Sequence, residues 1–593
     1  MSNENPTPEQ GQTVPAPAPA GVRAVVPPAQ GGRAVRKYTA DLSAVGEPGM
    51  WAFGGALVFG LLLVVSFLLF VAWNGLSTFW PKPVYVVTTT EGTRIAGEPF
   101  RGNRFRPGDS LLERLDPATR EAIAENDGYA DRVLFRTGNY DLYGDDFRWV
   151  NEFEIAERTR PVDFFYFERQ EWGPFVGRIA GLVIDDQPVA DPDFRTVRRA
   201  QREARDRFDR VRSLEKHDLG RINHRIEQER LALRRVQLRH GADSEAYAEA
   251  EAASLPRIAE QQALFQEVQT RIAEIRNEDA RNRIVLEEVE GRTKETPLSQ
   301  IVRFYPANDI GLGQKLAIYA SRWKEFLTDE PREANTEGGV LPAIFGTVAM
   351  TLLMVVFVAP FGVITALYLR EYATQGRLVA AVRIAVNNLA GVPSIVYGVF
   401  GLGFFAYTMG TSIDQLFFAE RLPSPTFGTG GILWASLTLA LLTVPVVIVA
   451  SEEALSAVPR SMREGSLACG ASKWQTIKYV VLPRAMPGVM TGLILAMARG
   501  AGEVAPLMLV GVVKLAPELP IDGFFPFVHL ERSFMHLGFH IFDVGFQSRN
   551  SEAGKPMVFV TTLLLLSLIV LMNSIAITVR NRLKKRFSSG GHF

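Results

Sequence analysis

Long runs of almost uncharged apolar residues alternate along this chain with stretches where charge is dense. A helix needs about 20 mostly apolar residues to cross the hydrocarbon core of a bilayer. Six runs reach that length: Trp51–Trp73, Leu341–Leu369, Ile384–Met409, Ile432–Ala450, Gly488–Val512 and Met557–Val579. The first, WAFGGALVFGLLLVVSFLLFVAW, has no charge and carries aromatics at both ends, as helices do at membrane–water boundaries. It starts too far in for a signal peptide and no small-residue cleavage site follows, so it reads as an uncleaved anchor. The third and fifth runs are rich in glycine, which favours helices packed on other helices.

Between the first and second runs lies an insert, about residues 74–340, with two textures. From Pro83 to Val189, aromatic and β-branched residues mix with turn signals, as in VYVVTTTEGTR and VLFRTGNYDLYGDDFRWV. That pattern predicts a compact β-rich or α+β domain. From about 191 to 289 the composition turns to Arg, Glu, Gln, Ala and Leu. Leu219, Ile226 and Leu233 recur every seven residues, interleaved with Ile222 and Val236. Beyond Gly241, Ile258, Phe265 and Ile272 do the same, interleaved with Val268 and Ile275. Two heptad seams around a glycine turn predict an antiparallel helical hairpin of coiled-coil type. The first 49 residues, rich in Pro, Ala and Gly, have little to bury and read as a disordered tail.

Charge then orients the spans. The chain has 593 residues, 47% hydrophobic and 22% charged, with a formal net charge of +0. That neutral total hides segregation, and it gives no reason to expect a nucleic-acid partner. Basic residues cluster before the first run (Arg23, Arg33, Arg36, Lys37), after the second (Arg370, Arg377, Arg383), between the fourth and fifth (Arg460, Arg463, Lys473, Lys478, Arg484) and after the sixth (Arg580, Arg582, Lys584, Lys585, Arg586). With six spans all four groups fall on one side, which the positive-inside rule makes cytoplasmic. Both termini are then inside and the insert is outside. One cysteine, Cys469, excludes an intramolecular disulfide. The expected fold class is an all-α polytopic membrane protein with six transmembrane helices and a large external insert of α+β and helical-hairpin character. Its segments are a tail 1–49, an anchor 50–73, the insert 74–340, a membrane core 341–580 and a basic tail 581–593.

Candidate chemistry is confined to a few positions. Arg499 and Glu503 lie four residues apart near the middle of the fifth run, so on one helix face. A charge at the bilayer centre costs at least ~2.5–3.5 kcal/mol, so the pair should face a protein interior or an aqueous path. Pro506 cannot donate to the carbonyl of Gly502 and should loosen the helix beside it. A self-neutralising packing lock and an anion transit site both fit these residues, with Glu503 in the latter keeping Arg499 from binding too tightly. Glu452, at the cytoplasmic end of the fourth run, is a further candidate for the path. No GxxxxGK[ST] phosphate loop is present, so the chain is not expected to hydrolyse ATP. The seven scattered His and the lone Cys predict no metal site.

The stretch Glu464–Pro483, EGSLACGASKWQTIKYVVLP, resembles the coupling signature of ABC importer permeases: a Glu, Gly470 six residues on, nine variable residues, then Val480-Val481-Leu482-Pro483. In that family the segment, here about 460–485, is a short cytoplasmic helix that docks on an ATPase. The resemblance gives Glu464, Gly470, Leu482 and Pro483 that role. Glu464 would help cap the helix, Gly470 would turn the backbone and Pro483 would halt the following segment. Gly465 and Ser466 stand where the family prefers alanines.

Asn388–Gly398 (NLAGVPSIVYG), Arg499–Leu507 (RGAGEVAPL), Tyr368–Ala373 (YLREYA) and Glu452–Arg460 (EEALSAVPR) are similar to PstA-type permease subunits of the phosphate ABC importer. This covers roughly 341–580, and the long amino-terminal extension looks like that of a PstA subgroup. The resemblance implies a type I ABC importer permease fold and a place in a bacterial inner membrane. Its implied partners are a PstC-type permease, a PstB-type ATPase dimer holding ATP and Mg, a PstS-type external binding protein, inorganic phosphate and membrane lipid. No cofactor is implied in this chain. Many PstA-type sequences have an Arg three residues before the Glu matching Glu452, and here that position is Val449. Other tetrahedral oxyanions, sulfate or molybdate, stay open on the physics alone. So does a regulatory or scaffolding protein working through the external insert.

Overall fold

The computed structural model describes residues 48–190, 192–516, 518–548 and 551–588. The expected tail 1–49 lies almost wholly outside the described residues. Among them, six helices are long and apolar enough to cross a membrane: Trp51–Ser77, Leu341–Tyr372, Ser394–Phe417, Ile432–Ser456, Lys473–Gly502 and Ser551–Lys585. Their number matches the apolar runs; the first, second and fourth run three to six residues further than expected, and the other three shift more. The third starts at Ser394 rather than Ile384, because Pro393 disfavours helix at Val392 and lacks a donor of its own. The residues before it form a separate helix, Arg377–Leu389. The fifth ends at Gly502, ten residues short of the expected Val512. The last runs on to Ser588, so residues 581–588 extend a helix where a tail was expected.

Three of these helices make the main membrane core. Met350, Met354 and Val358 of the helix Leu341–Leu367 pack with Leu439, Leu442 and Val447 of Ile432–Ser456 and with Val489, Leu493 and Ala496 of Leu482–Gly502. The last two helices approach closely through small residues. A Cβ on Gly488 would come within 2.5 Å of the Ala454 methyl, and one on Gly492 within 2.5 Å of Ala450. Such spacing lets backbones meet where no hydrophobic effect drives helices together.

The insert is built on two antiparallel sheets. One has the strand order Phe147–Asn151, Ala130–Arg136, Arg94–Phe105, Tyr85–Thr89, Ile155–Thr159. The other runs Thr293–Pro297, Arg283–Glu287, Phe175–Ile184, Phe165–Arg169, Ile301–Pro306. The alternation legible in the sequence sets their inner faces: Ile284 and Leu286 are both fully buried, against Phe167, Phe175 and Leu182. Charge is buried here too. Arg169 forks both oxygens of Asp141 at 3.0 Å, and Arg322 donates to Glu168 at 2.7 Å. Burial raises the Glu168 carboxyl, but Arg322 and Arg303 outweigh it and hold it down at about 2.

Helices Phe194–Ser213 and Gly220–His240, joined through a widened π turn at Leu214–Leu219, run out from the second sheet and return as Glu245–Ala280. Arg257 to Glu229 (3.1 Å) and Arg276 to Glu215 fix the arms as antiparallel. On the returning arm Ile258 and Ile272 are buried, with Phe265 and Val268 packed against the seam, as the spacing predicts. The outgoing arm differs: it buries Ile222, Ile226 and Leu231, while Leu219 and Leu233 are only half-buried. The π turn resets the helical phase just before the seam, so a strict seven-residue repeat is not kept. The helical stretch also stops at Ala280, and Arg283–Glu287 is a strand rather than the end of an arm.

Candidate transport site and coupling segment

Arg499 occupies the last turn of the helix Leu482–Gly502, where the helix dipole favours a cation. Glu503 is its C-cap, with extended backbone (φ −77, ψ 134). The pair is therefore not four residues apart inside one continuous helix, as expected, but spans its broken end. Two glycines, Gly500 and Gly502, and then Pro506 stop the helix. A four-residue turn, Leu507–Val510, follows after Pro506. The carboxylate stays within 3.6 Å of the Arg499 Nε, too long for a hydrogen bond, and the Arg499 side chain keeps 38% of its surface exposed. A buried packing lock would close both.

Two of the four segments quoted for the PstA resemblance, Asn388–Gly398 and Arg499–Leu507, meet at this break. A Cβ on Gly398 would lie 2.7 Å from the Pro506 Cα, so only glycine lets the start of the third span touch the turn after Glu503. One residue earlier, the buried Tyr397 hydroxyl donates to the Leu389 carbonyl at 2.6 Å and lies within electrostatic reach of Arg499. Tyr397 and Gly398 lie in the segment Asn388–Gly398, whose sequence alone gives them no part. Their contacts across more than a hundred residues are invisible in any local pattern.

Glu452 does not join Arg499. It lines a separate cleft of about 210 Å³ with Val449, Asn387 and Arg383. Arg383 Nε stands 3.4 Å from its carboxylate. A cation thus stands beside Glu452, and it comes from the helix Arg377–Leu389 rather than from position 449.

The candidate coupling segment folds as a helix Arg460–Ala468, a turn, a capped start at Ser472 and a helical run into Leu482–Gly502. Gly470 has φ +86, in the left-handed region that favours glycine. Ser466, one of the two departures from alanine, bonds the Thr476 hydroxyl at 2.9 Å and ties the turn shut. Glu464 corrects the expectation: it sits mid-helix and exposed, and Pro459 is the N-cap. Its neighbour Arg463 instead anchors the segment, donating to Glu371 at 3.0 Å and to the Leu455 carbonyl at 2.7 Å. Pro483 halts nothing. Leu482 and Pro483, both half-buried, lie inside the continuous helical run Lys473–Gly502, where the wider π stretch Ile477–Val481 ends and tolerates a residue without an N–H. Leu467, Trp474 and Tyr479 are exposed around the turn.

Residues 359–585 match the family described as binding-protein-dependent transport system inner membrane component. The probable ABC transporter permease protein YqgH of Bacillus subtilis (strain 168) is 37% identical over 204 residues, which are 33% of this chain and 62% of that one. The phosphate transport system permease protein PstA 1 of Mycobacterium tuberculosis (strain CDC 1551 / Oshkosh) is 42% identical over 175 residues, 29% of this chain and 52% of that one. The chain therefore spans 62% and 52% of the length of these two relatives. Among solved structures, the inward-facing MetNI methionine ABC transporter is 20% identical with a TM-score of 0.32, over 41% of this chain and 95% of that one. The matched region, from the second span to the last, is similar to permease subunits of ABC transporters. The insert 74–340 lies outside it.

Proposed function

We propose that this chain is the permease subunit of an ATP-driven importer of inorganic phosphate in a bacterial inner membrane. The observation that carries the reading is Arg499: a half-exposed guanidinium at the broken end of the fifth span, held only loosely by Glu503 at 3.6 Å. A planar fork of donors suits a tetrahedral oxyanion. Glu503 competes for the same donors, so the anion is released rather than trapped. The likeness to relatives named as phosphate permeases supports phosphate over other oxyanions.

The chain itself hydrolyses nothing. A PstB-type ATPase dimer, carrying ATP and Mg, docks on the exposed turn around Gly470. A PstC-type permease completes the path, and a PstS-type protein delivers phosphate on the insert's side, with both termini cytoplasmic. Competition tests the substrate: uptake of radiolabelled phosphate by cells relying on this chain should resist a hundredfold excess of sulfate or molybdate. Uptake abolished by either competitor would reassign the site to that oxyanion.

A further inference from the structure

A cavity of about 650 Å³ lies where the ends of the first and last spans meet the insert. Its floor is aromatic. Phe70 and Phe559 touch edge to face at 5.5 Å, each on a helix long and apolar enough to cross a membrane. Trp80 stands beside them just past the end of the first span, the position tryptophan favours at a membrane interface. Its roof is charged and comes from the insert: Lys82, then Glu98 and Arg136, which are register partners on adjacent strands.

Most charges around the cavity are already satisfied. Arg322 is bound to Glu168, the Phe79 carbonyl and the Tyr305 hydroxyl, and Arg101 and Lys555 both hold Glu552. The roof is different. Glu98 is buried, and neither it nor Lys82 has a side-chain hydrogen bond or ion pair among the described residues, although each feels the other's charge. Arg136 gives one nitrogen to Glu337 at 2.7 Å and leaves its buried Nε without a partner. Burial pushes the Glu98 carboxyl up and the Lys82 ammonium down, as expected for charges short of partners. Such groups are costly unless something pairs them.

One occupant answers all three features. It carries an anionic acceptor for Lys82 and Arg136, a cationic donor for Glu98, and apolar tails for the aromatic floor. We propose that the cavity binds the headgroup of an amine-bearing membrane phospholipid, its phosphate toward Lys82 and Arg136 and its ammonium toward Glu98. Free phosphate would answer the cations but leave Glu98 facing an anion. The proposal rests on the helices Trp51–Ser77 and Ser551–Lys585 crossing a membrane, and not on what the permease transports. A lipid so held would seat the insert on the membrane core.

Native mass spectrometry of the full chain, extracted with its lipids and then stripped, tests this. The unmodified protein should keep one phosphatidylethanolamine after stripping and should rebind it in preference to phosphatidylglycerol. Millimolar inorganic phosphate should not displace it. Glu98→Gln and Lys82→Met should each lower retention about ten-fold or more, the loss expected for one charge-assisted contact. Equal retention of the two lipids, or displacement by phosphate, would overturn the proposal on the unmodified protein alone. Full retention by either variant would do the same.

Discussion

At the residue scale, the chain's chemistry rests on side chains whose roles depend on what stands beside them. Arg499 and Glu503 were legible as an anomaly, since charge inside an apolar run needs a reason. That Glu503 lies past the helix end was not legible, because glycine and proline both bend and break helices, and tertiary contacts decide which. Nothing local links Arg383 to Glu452, 69 residues on. Gly470 was read correctly as a turn. Its φ of +86 makes any replacement strained by about 1–2 kcal/mol, with no other clash, since a Cβ there would meet open space. Gly470→Ala should therefore leave the protein in the membrane but displace Leu467 relative to Trp474 and weaken docking of the ATPase. The readouts are co-purification of the ATPase and phosphate uptake at matched abundance. Wild-type values for both would remove Gly470 from the coupling role.

At the element scale, the structure ties each part of the insert to its own physics. The hairpin arms close to a short gap between Glu215 and Arg276, which pair directly. Val197, Ala200 and Ala204 at the root belong to the core of the second sheet. Replacing 216–275 by a short Gly-Ser linker should thus leave both sheets folded and basal uptake intact. Loss of uptake at normal abundance would make the hairpin part of the transport path. The outgoing arm departs from the seven-residue repeat where the π turn intervenes, while the returning arm, an uninterrupted helix, keeps its period. A second prediction concerns pH. His536 and His540 are buried on the loop before the last span, and burial lowers both to about 4. His536 Nδ1 accepts from the Gly538 N–H at 3.1 Å, so its ring is held neutral. Asp543 and Lys514 oppose each other beside His540. Unfolded imidazoles take up protons near 6.5, so this stability is full above that pH and is lost as pH falls toward 4. At pH 5 the loss is about 2 kcal/mol per ring. Hydrogen exchange over 534–544, corrected for intrinsic rates, should quicken from pH 7.5 to 5, and His536→Gln should blunt the change. A profile flat in pH would contradict the neutral-ring account.

At the scale of the whole molecule, six apolar runs and the two textures between the first and second of them announced six long apolar helices, two sheets and a helical hairpin. Apolar length and charge segregation are properties of single segments, and the bilayer imposes them directly. What stayed hidden were contacts between distant segments: Gly398 on Pro506, Arg383 on Glu452, and the charged roof over the ends of the first and last spans. All three depend on packing that no window of sequence contains. The central claim is that Arg499 meets the transported anion. Uptake of radiolabelled phosphate by the double variant Arg499→Gln, Glu503→Gln, measured alongside membrane abundance, tests it most directly. Removing both charges together spares the membrane an unpaired one, so the variant should assemble normally. Our account predicts normal abundance with uptake reduced by at least about a hundredfold, the loss of one charge-assisted contact to the anion at its upper range. Full uptake by that variant would reduce the pair to a packing device and contradict the account.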